Sequence, residues 1–167
     1  MSRKALFAVA AAVLLVPAGA SAQLATGQVN VTATVDAYAS ITGTGDVEFG
    51  SLSRVADNVV DPAGGAGAAL RTATFNGDVD ITFSSVPATL SGPNGAALAV
   101  TLNCAYDDGT GWSAASECST ATFALDNTLA GLATATVGVG GEITAAAVQS
   151  VAAGSYSGSL TIVITAR

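Results

Sequence analysis

The chain has 167 residues, half of them hydrophobic, with nineteen glycines, two cysteines and no histidine. Beyond Arg3 and Lys4 only three arginines remain, against all twelve acidic residues, so residues 23–167 carry a net charge of −9. That sign excludes nucleic acid and anionic membrane surfaces as partners, because both need clustered Lys and Arg to replace counterions.

Residues 1–22 read as a cleavable export signal. Arg3 and Lys4 precede an apolar run over residues 5–16, followed by Pro17 and the small-residue ending Ala20-Ser-Ala22. Small residues stand at both positions a signal peptidase reads, so cleavage after Ala22 leaves Gln23 first. The alternative, a retained anchor, is disfavoured because the run falls short of the roughly 20 residues a spanning helix needs. Residues 23–167 contain no second apolar run of that length, so no membrane-spanning segment is expected in the mature chain. The expected destination is outside the cytoplasm: periplasm, cell surface or medium.

The mature sequence alternates apolar and polar residues with period two. Val29, Val31, Ala33 and Val35 make the first such row. Val79, Ile81 and Phe83 make the next, then Leu98, Val100 and Leu102, then Ala121, Phe123 and Leu125. A fifth runs through Ala135, Val137 and Val139, and the last places Leu160, Ile162 and Ile164 on one face. Turn signals separate them at Gly43-Thr-Gly45, Asp61-Pro-Ala-Gly-Gly65, Asn76-Gly77, Gly92-Pro-Asn-Gly95, Asp108-Gly109 and Gly138-Val-Gly-Gly141. Short alternating strands at this spacing indicate one all-β domain, a sandwich or barrel. Residues 55–70, rich in Ala and Gly, lack alternation and are expected to loop out at one end, with a short helical turn as the alternative.

Chemistry is limited by the residue types present. Without histidine or a mature lysine, no hydroxyl nucleophile has its usual base, so no catalytic residue is expected. Carboxylate pairs are the remaining option: Asp107 with Asp108, and Asp78 with Asp80. Neither pair comes with an apolar pocket to raise one pKa, and solvated surface charge explains both. Cys104 and Cys118 fit a disulfide in an oxidising compartment, where closing the intervening loop would stabilise by about 3 kcal/mol. Metal ligation is the weaker reading, since no further ligand of the right type completes a tetrahedral site. No cofactor is implied.

The stretch Cys104-Ala-Tyr-Asp-Asp-Gly-Thr-Gly-Trp112 holds the sole tryptophan. Tyr106, Asp107, Asp108 and Trp112 form a candidate ligand loop in which an aromatic stacks on sugar or carboxylates meet Ca²⁺. The competing reading packs Trp112 on the disulfide.

The opening Val29-Asn-Val-Thr-Ala-Thr-Val35, with Ile41-Thr42 and then Val47-Glu-Phe-Gly-Ser-Leu52, resembles bacterial spore coat protein U and pilin-like domains. The closing stretch is similar too, with Gly154, Tyr156 and Gly158 in matching places before Leu160 and Ile162. An uncharacterised family of bacterial secreted domains shares the pattern. The resemblance covers the two ends of the mature chain. It implies an immunoglobulin-like β-sandwich and, as partners, further subunits joined by strand addition and a periplasmic chaperone. One departure is that no cysteine follows the first row, where pilins commonly have one.

The leading expectation is therefore a secreted structural protein of the cell surface, a filament or coat subunit, with residues 29–35 as its first or donated strand. The alternative is a secreted glycan- or calcium-binding module that uses the Trp112 loop. Protein recovered from periplasm or medium is expected to begin at Gln23 on N-terminal sequencing. Recovery of a chain beginning at Met1 would refute the signal.

Overall fold

The computed structural model describes residues 32–128 and 131–167. The export signal, and Val29 and Val31 of the first alternating row, lie outside the described residues. Eleven strands are described: β1 (Ala39–Thr42), β2 (Asn58–Val60), β3 (Ala69–Phe75), β4 (Val79–Ser84), β5 (Thr89–Ser91), β6 (Ala97–Ala99), β7 (Thr101–Asp107), β8 (Ser116–Glu117), β9 (Thr122–Leu125), β10 (Ala133–Ile143) and β11 (Thr161–Ala166). One short helix, α1 (Ala145–Gln149), follows β10.

The strands form an antiparallel β-sandwich, as the alternation implied. One sheet runs β1-β3-β10-β7-β8, and β2 takes the remaining edge of β10 at residues 141–143. The facing sheet is β11-β4-β9, and β5 and β6 pair separately. Asn76-Gly77 carries the chain from β3 in one sheet to β4 in the other.

Pleating sends alternate residues inward. Ala73 and Phe75 of β3, Leu102 and Cys104 of β7, and Val137 and Val139 of β10 meet Val79 and Ile81 of β4 and Phe123 and Leu125 of β9. Phe123 stacks edge-on against Phe83 at 5.6 Å between centroids and lies 4.9 Å from Tyr106 across the core, so one ring ties both sheets. Cys104 joins Cys118 with Cα atoms 5.1 Å apart, and both residues are wholly buried.

Several expectations need correction. The described part of the first row, including Ala33 and Val35, lies outside strands and is exposed; the first described strand starts at Ala39. The single strand expected over Leu98, Val100 and Leu102 is two, because Val100 leaves the ladder to donate its N–H to the Ala88 carbonyl. Gly138-Val-Gly-Gly141 is no turn: β10 runs straight through it. Its glycines serve a different purpose, since residues 60–62 cross the outer face against them. A Cβ on Gly140 would meet the Val60 oxygen at 2.2 Å, and one on Gly138 the Pro62 oxygen at 1.9 Å.

Residues 55–70 are accordingly no loop at the end of the domain. They contain β2, they cross the sheet, and they lead into β3, whose inward row of Ala69, Arg71, Ala73 and Phe75 gave little hydrophobic signal. Helix α1 also went unforeseen. The Thr144 hydroxyl caps it by accepting from Ala147 N–H, and Asp57 accepts from Ala145 N–H.

Gly140→Ala is expected to destabilise by about 2 kcal/mol or more in urea unfolding, because the obstructing atoms, from Val60, Asp61 and Pro62, are all backbone. Gly77→Ala, with nothing within 4 Å of the added atom, should be close to neutral.

Candidate functional site

The Trp112 loop closes on itself. Asp107 Oδ1 accepts from the N–H groups of Gly109 and Gly111 at 2.8 and 3.0 Å. Asp108 Oδ1 accepts from the Thr110 hydroxyl at 2.7 Å and its N–H at 3.1 Å. The Thr110 hydroxyl, then its N–H, holds the Asp108 carboxyl below the ordinary value. These are Asx turns, which spend carboxylate oxygens on local backbone. Among the described residues, no three His, Cys, Asp or Glu side chains gather where they could hold a metal.

Tyr106 faces inward to Phe123 and is half-buried. Trp112 is also half-buried, and an added Cβ on Gly138 would come within 3.0 Å of its ring. The indole therefore lies over the outer face of the sheet beside Gly64 and Gly138, whereas Cys104 points to the core. Packing on the disulfide is not its role. The structure brings Asp107 and Trp112 together as an isolated bridge but leaves Tyr106 on the opposite face.

Asp80 is half-buried in β4 and Asp78 is exposed just before that strand, and both have structural partners. Asp78 accepts the Asn127 N–H at 2.9 Å, and Asp80 lies 3.3 Å from the Arg167 guanidinium, which also pairs with Asp126.

A broader concavity lies elsewhere. A cleft of about 1170 Å³, lined by apolar side chains together with polar groups that include Asp46 and Glu48, opens between the two sheets. Ile41 of β1 with Val47, Phe49 and Leu52 lines one side; Leu90, Val151, Tyr156, Leu160 and Ile162 line the other. The buried side chains Leu98 and Ile143 reach its base. Polar groups at its rim include Arg71, whose guanidinium donates to the Gly45 carbonyl at 2.6 Å, and Arg54, which donates to the Val151 carbonyl at 3.2 Å.

The far side of the cleft is shaped by the closing motif. The Tyr156 hydroxyl donates to the Ala152 carbonyl at 2.8 Å, and its ring fills the space over Gly92, where an added Cβ would come within 2.2 Å. A Cβ on Gly154 would meet Pro93 at 2.6 Å, and one on Gly158 would meet Leu90 at 2.9 Å. Beyond them β11 pairs with β4 and, among the described residues, presents its other edge without a ladder partner. Its sequence, TIVITA, contains no charge and no proline. Edge strands are normally blunted by such residues; this one has none within it, and β1 lies near it without pairing.

Sequence reading missed the cleft, because Phe49, Leu98, Ile143 and Ile162 meet only through long-range folding. The quoted motifs at each end did contain most of its two walls.

Adding calcium at millimolar concentration is expected to leave the melting temperature unchanged, since binding to the folded state alone would raise it. A rise would show that Asp107 and Asp108 exchange their backbone partners for a cation. In comparison with known proteins, no family model, no curated protein and no solved structure matches this chain.

Proposed function

We propose that the mature chain is an exported structural subunit of the cell surface that self-associates by strand addition. In this reading, residues 29–35 of one copy pair with the open edge of β11 in the next and lay Val29, Val31, Ala33 and Val35 into its apolar cleft. The observation that carries it is the juxtaposition of an unblunted edge strand with an apolar cleft between the sheets. Main-chain bonds along such an edge supply affinity, and pockets for alternate side chains supply register.

Three further features support the reading. Residues 23–35 carry no charged side chain, so they can enter an apolar cleft of an acidic body without burying a charge. Ala33 and Val35 are exposed, Val35 at 87%. The buried disulfide fits an oxidising compartment, where exported subunits fold. Among the described residues no helix is long and apolar enough to cross a membrane. An exposed apolar edge also invites unwanted pairing before assembly, and a periplasmic chaperone that covers it would be the second partner.

Val31→Asp is the test. An unpaired carboxylate in an apolar cleft costs several kcal/mol, on the order of 2–7, so the exported variant should be a folded monomer where wild type assembles. Size-exclusion chromatography with circular dichroism reads both properties. Loss of fold would show that the row belongs inside its own sandwich, and unchanged assembly that it is not buried at all.

A further inference from the structure

We propose that residues 45–52 are a movable cover along one side of the cleft, fastened by Arg71 and Arg54, which swings aside as the cleft is filled. What fills it rests on the strand-addition reading; the opening of the cover does not.

The segment covers apolar surface without being built into a sheet. Val47, Phe49 and Leu52 are half-buried, pack on the core and line the cleft. Yet residues 43–57 belong to no strand. Among the described residues, the main-chain bond tying this stretch to the rest runs from Glu48 N–H to the Gly67 carbonyl, at 2.8 Å. A ladder strand of equal length would have several, so opening here breaks few backbone bonds.

Side chains do the fastening instead. Arg71 reaches from β3 to the Gly45 carbonyl at 2.6 Å, at one end of the cover. At the other end Arg54 donates to the Val151 carbonyl on the far wall, and the Gln149 amide donates to the Arg54 carbonyl at 2.5 Å. Arg54 and Gln149 are exposed and Arg71 is half-buried at the cleft rim, so all three can be released without unfolding the core. Beyond Arg54 the chain is firmly held: Asn58 exchanges bonds with Ser53 and donates to the Ile143 carbonyl.

The backbone at both ends suits a hinge. Gly45 has φ 104° and Gly50 φ 63°, and nothing lies within 4 Å of an added Cβ at either. Gly45 and Gly50 thus face open space, and between them Val47 and Phe49 line the cleft that an incoming alternating row would enter.

The test uses Arg71→Met, which keeps the aliphatic stem but removes the donor, in the full mature protein. Native-state hydrogen exchange should show the Glu48 amide accelerated about tenfold, the effect of losing one charged hydrogen bond, with β10 amides unchanged. Fluorescence of the apolar dye anilinonaphthalene sulfonate should rise. An unchanged Glu48 amide, or acceleration of all amides together, would overturn the cover. A peptide of residues 28–36 then separates the two ideas. Protection of β11 with faster Glu48 exchange supports both. Protection of β11 with Glu48 unchanged overturns the cover alone. No peptide binding, with the Arg71→Met response intact, overturns strand addition and leaves the cover standing.

Discussion

The architecture depends on β10 being occupied on both faces. Its inner row, Ala135, Val137 and Val139, is buried in the core; its outer row at Gly138 and Gly140 lies against residues 60–62. Three neighbours share its edges, β3 and β2 on one side and β7 on the other. A sandwich sheet usually keeps its outer face for polar side chains and water. Here two missing Cβ atoms let a second layer of backbone lie on that face. The crossing delivers the chain from β2 to β3, and Trp112 covers the same place from the β7 side. The glycines are therefore a requirement of close approach between backbones.

This constraint explains which parts of the fold were legible in the sequence. Alternation identified β4, β9, the middle of β10 and β11, because each keeps an apolar row inward and sets mostly Thr, Asp or small residues outward. It failed at β3, where Ala69, Arg71 and Ala73 occupy inward positions that only tight packing, or the rim of a cleft, makes sense of. It also failed at Gly138-Val-Gly-Gly141, since a glycine demanded by a crossing chain looks the same as one demanded by a turn. The disulfide pairing was legible from the absence of other cysteines. The candidate loop was legible as a cluster but not as a site: whether Asp107 faces solvent or its own backbone depends on turn geometry that composition does not encode. The apolar cleft was invisible because its walls come from opposite ends of the chain.

Positive charge is used sparingly and consistently. Arg54 and Arg71 both donate to backbone carbonyls at the cleft rim, while Arg167 pairs with Asp80 and Asp126 on the outer side of the second sheet. Exposed ion pairs of this kind contribute on the order of 0–1 kcal/mol each. Their value lies in position: Arg54 ties the residue 45–52 segment to Val151, and Arg167 joins the ends of β11 and β9, segments that no β-ladder connects directly. The acidic groups are left largely to solvent, which keeps the body of the domain strongly anionic while β11 remains neutral.

The disulfide has a consequence of another kind. Cys104 and Cys118 are fully enclosed, with Phe123 and the inner rows of both sheets in the same core. A thiolate must reach a sulfur in line to exchange with it, and here none can do so until the domain opens. Once the sandwich has closed, the bond no longer equilibrates with its surroundings. It is a record of the redox conditions where the chain folded, and it will persist unchanged if the protein is later moved to a reducing medium.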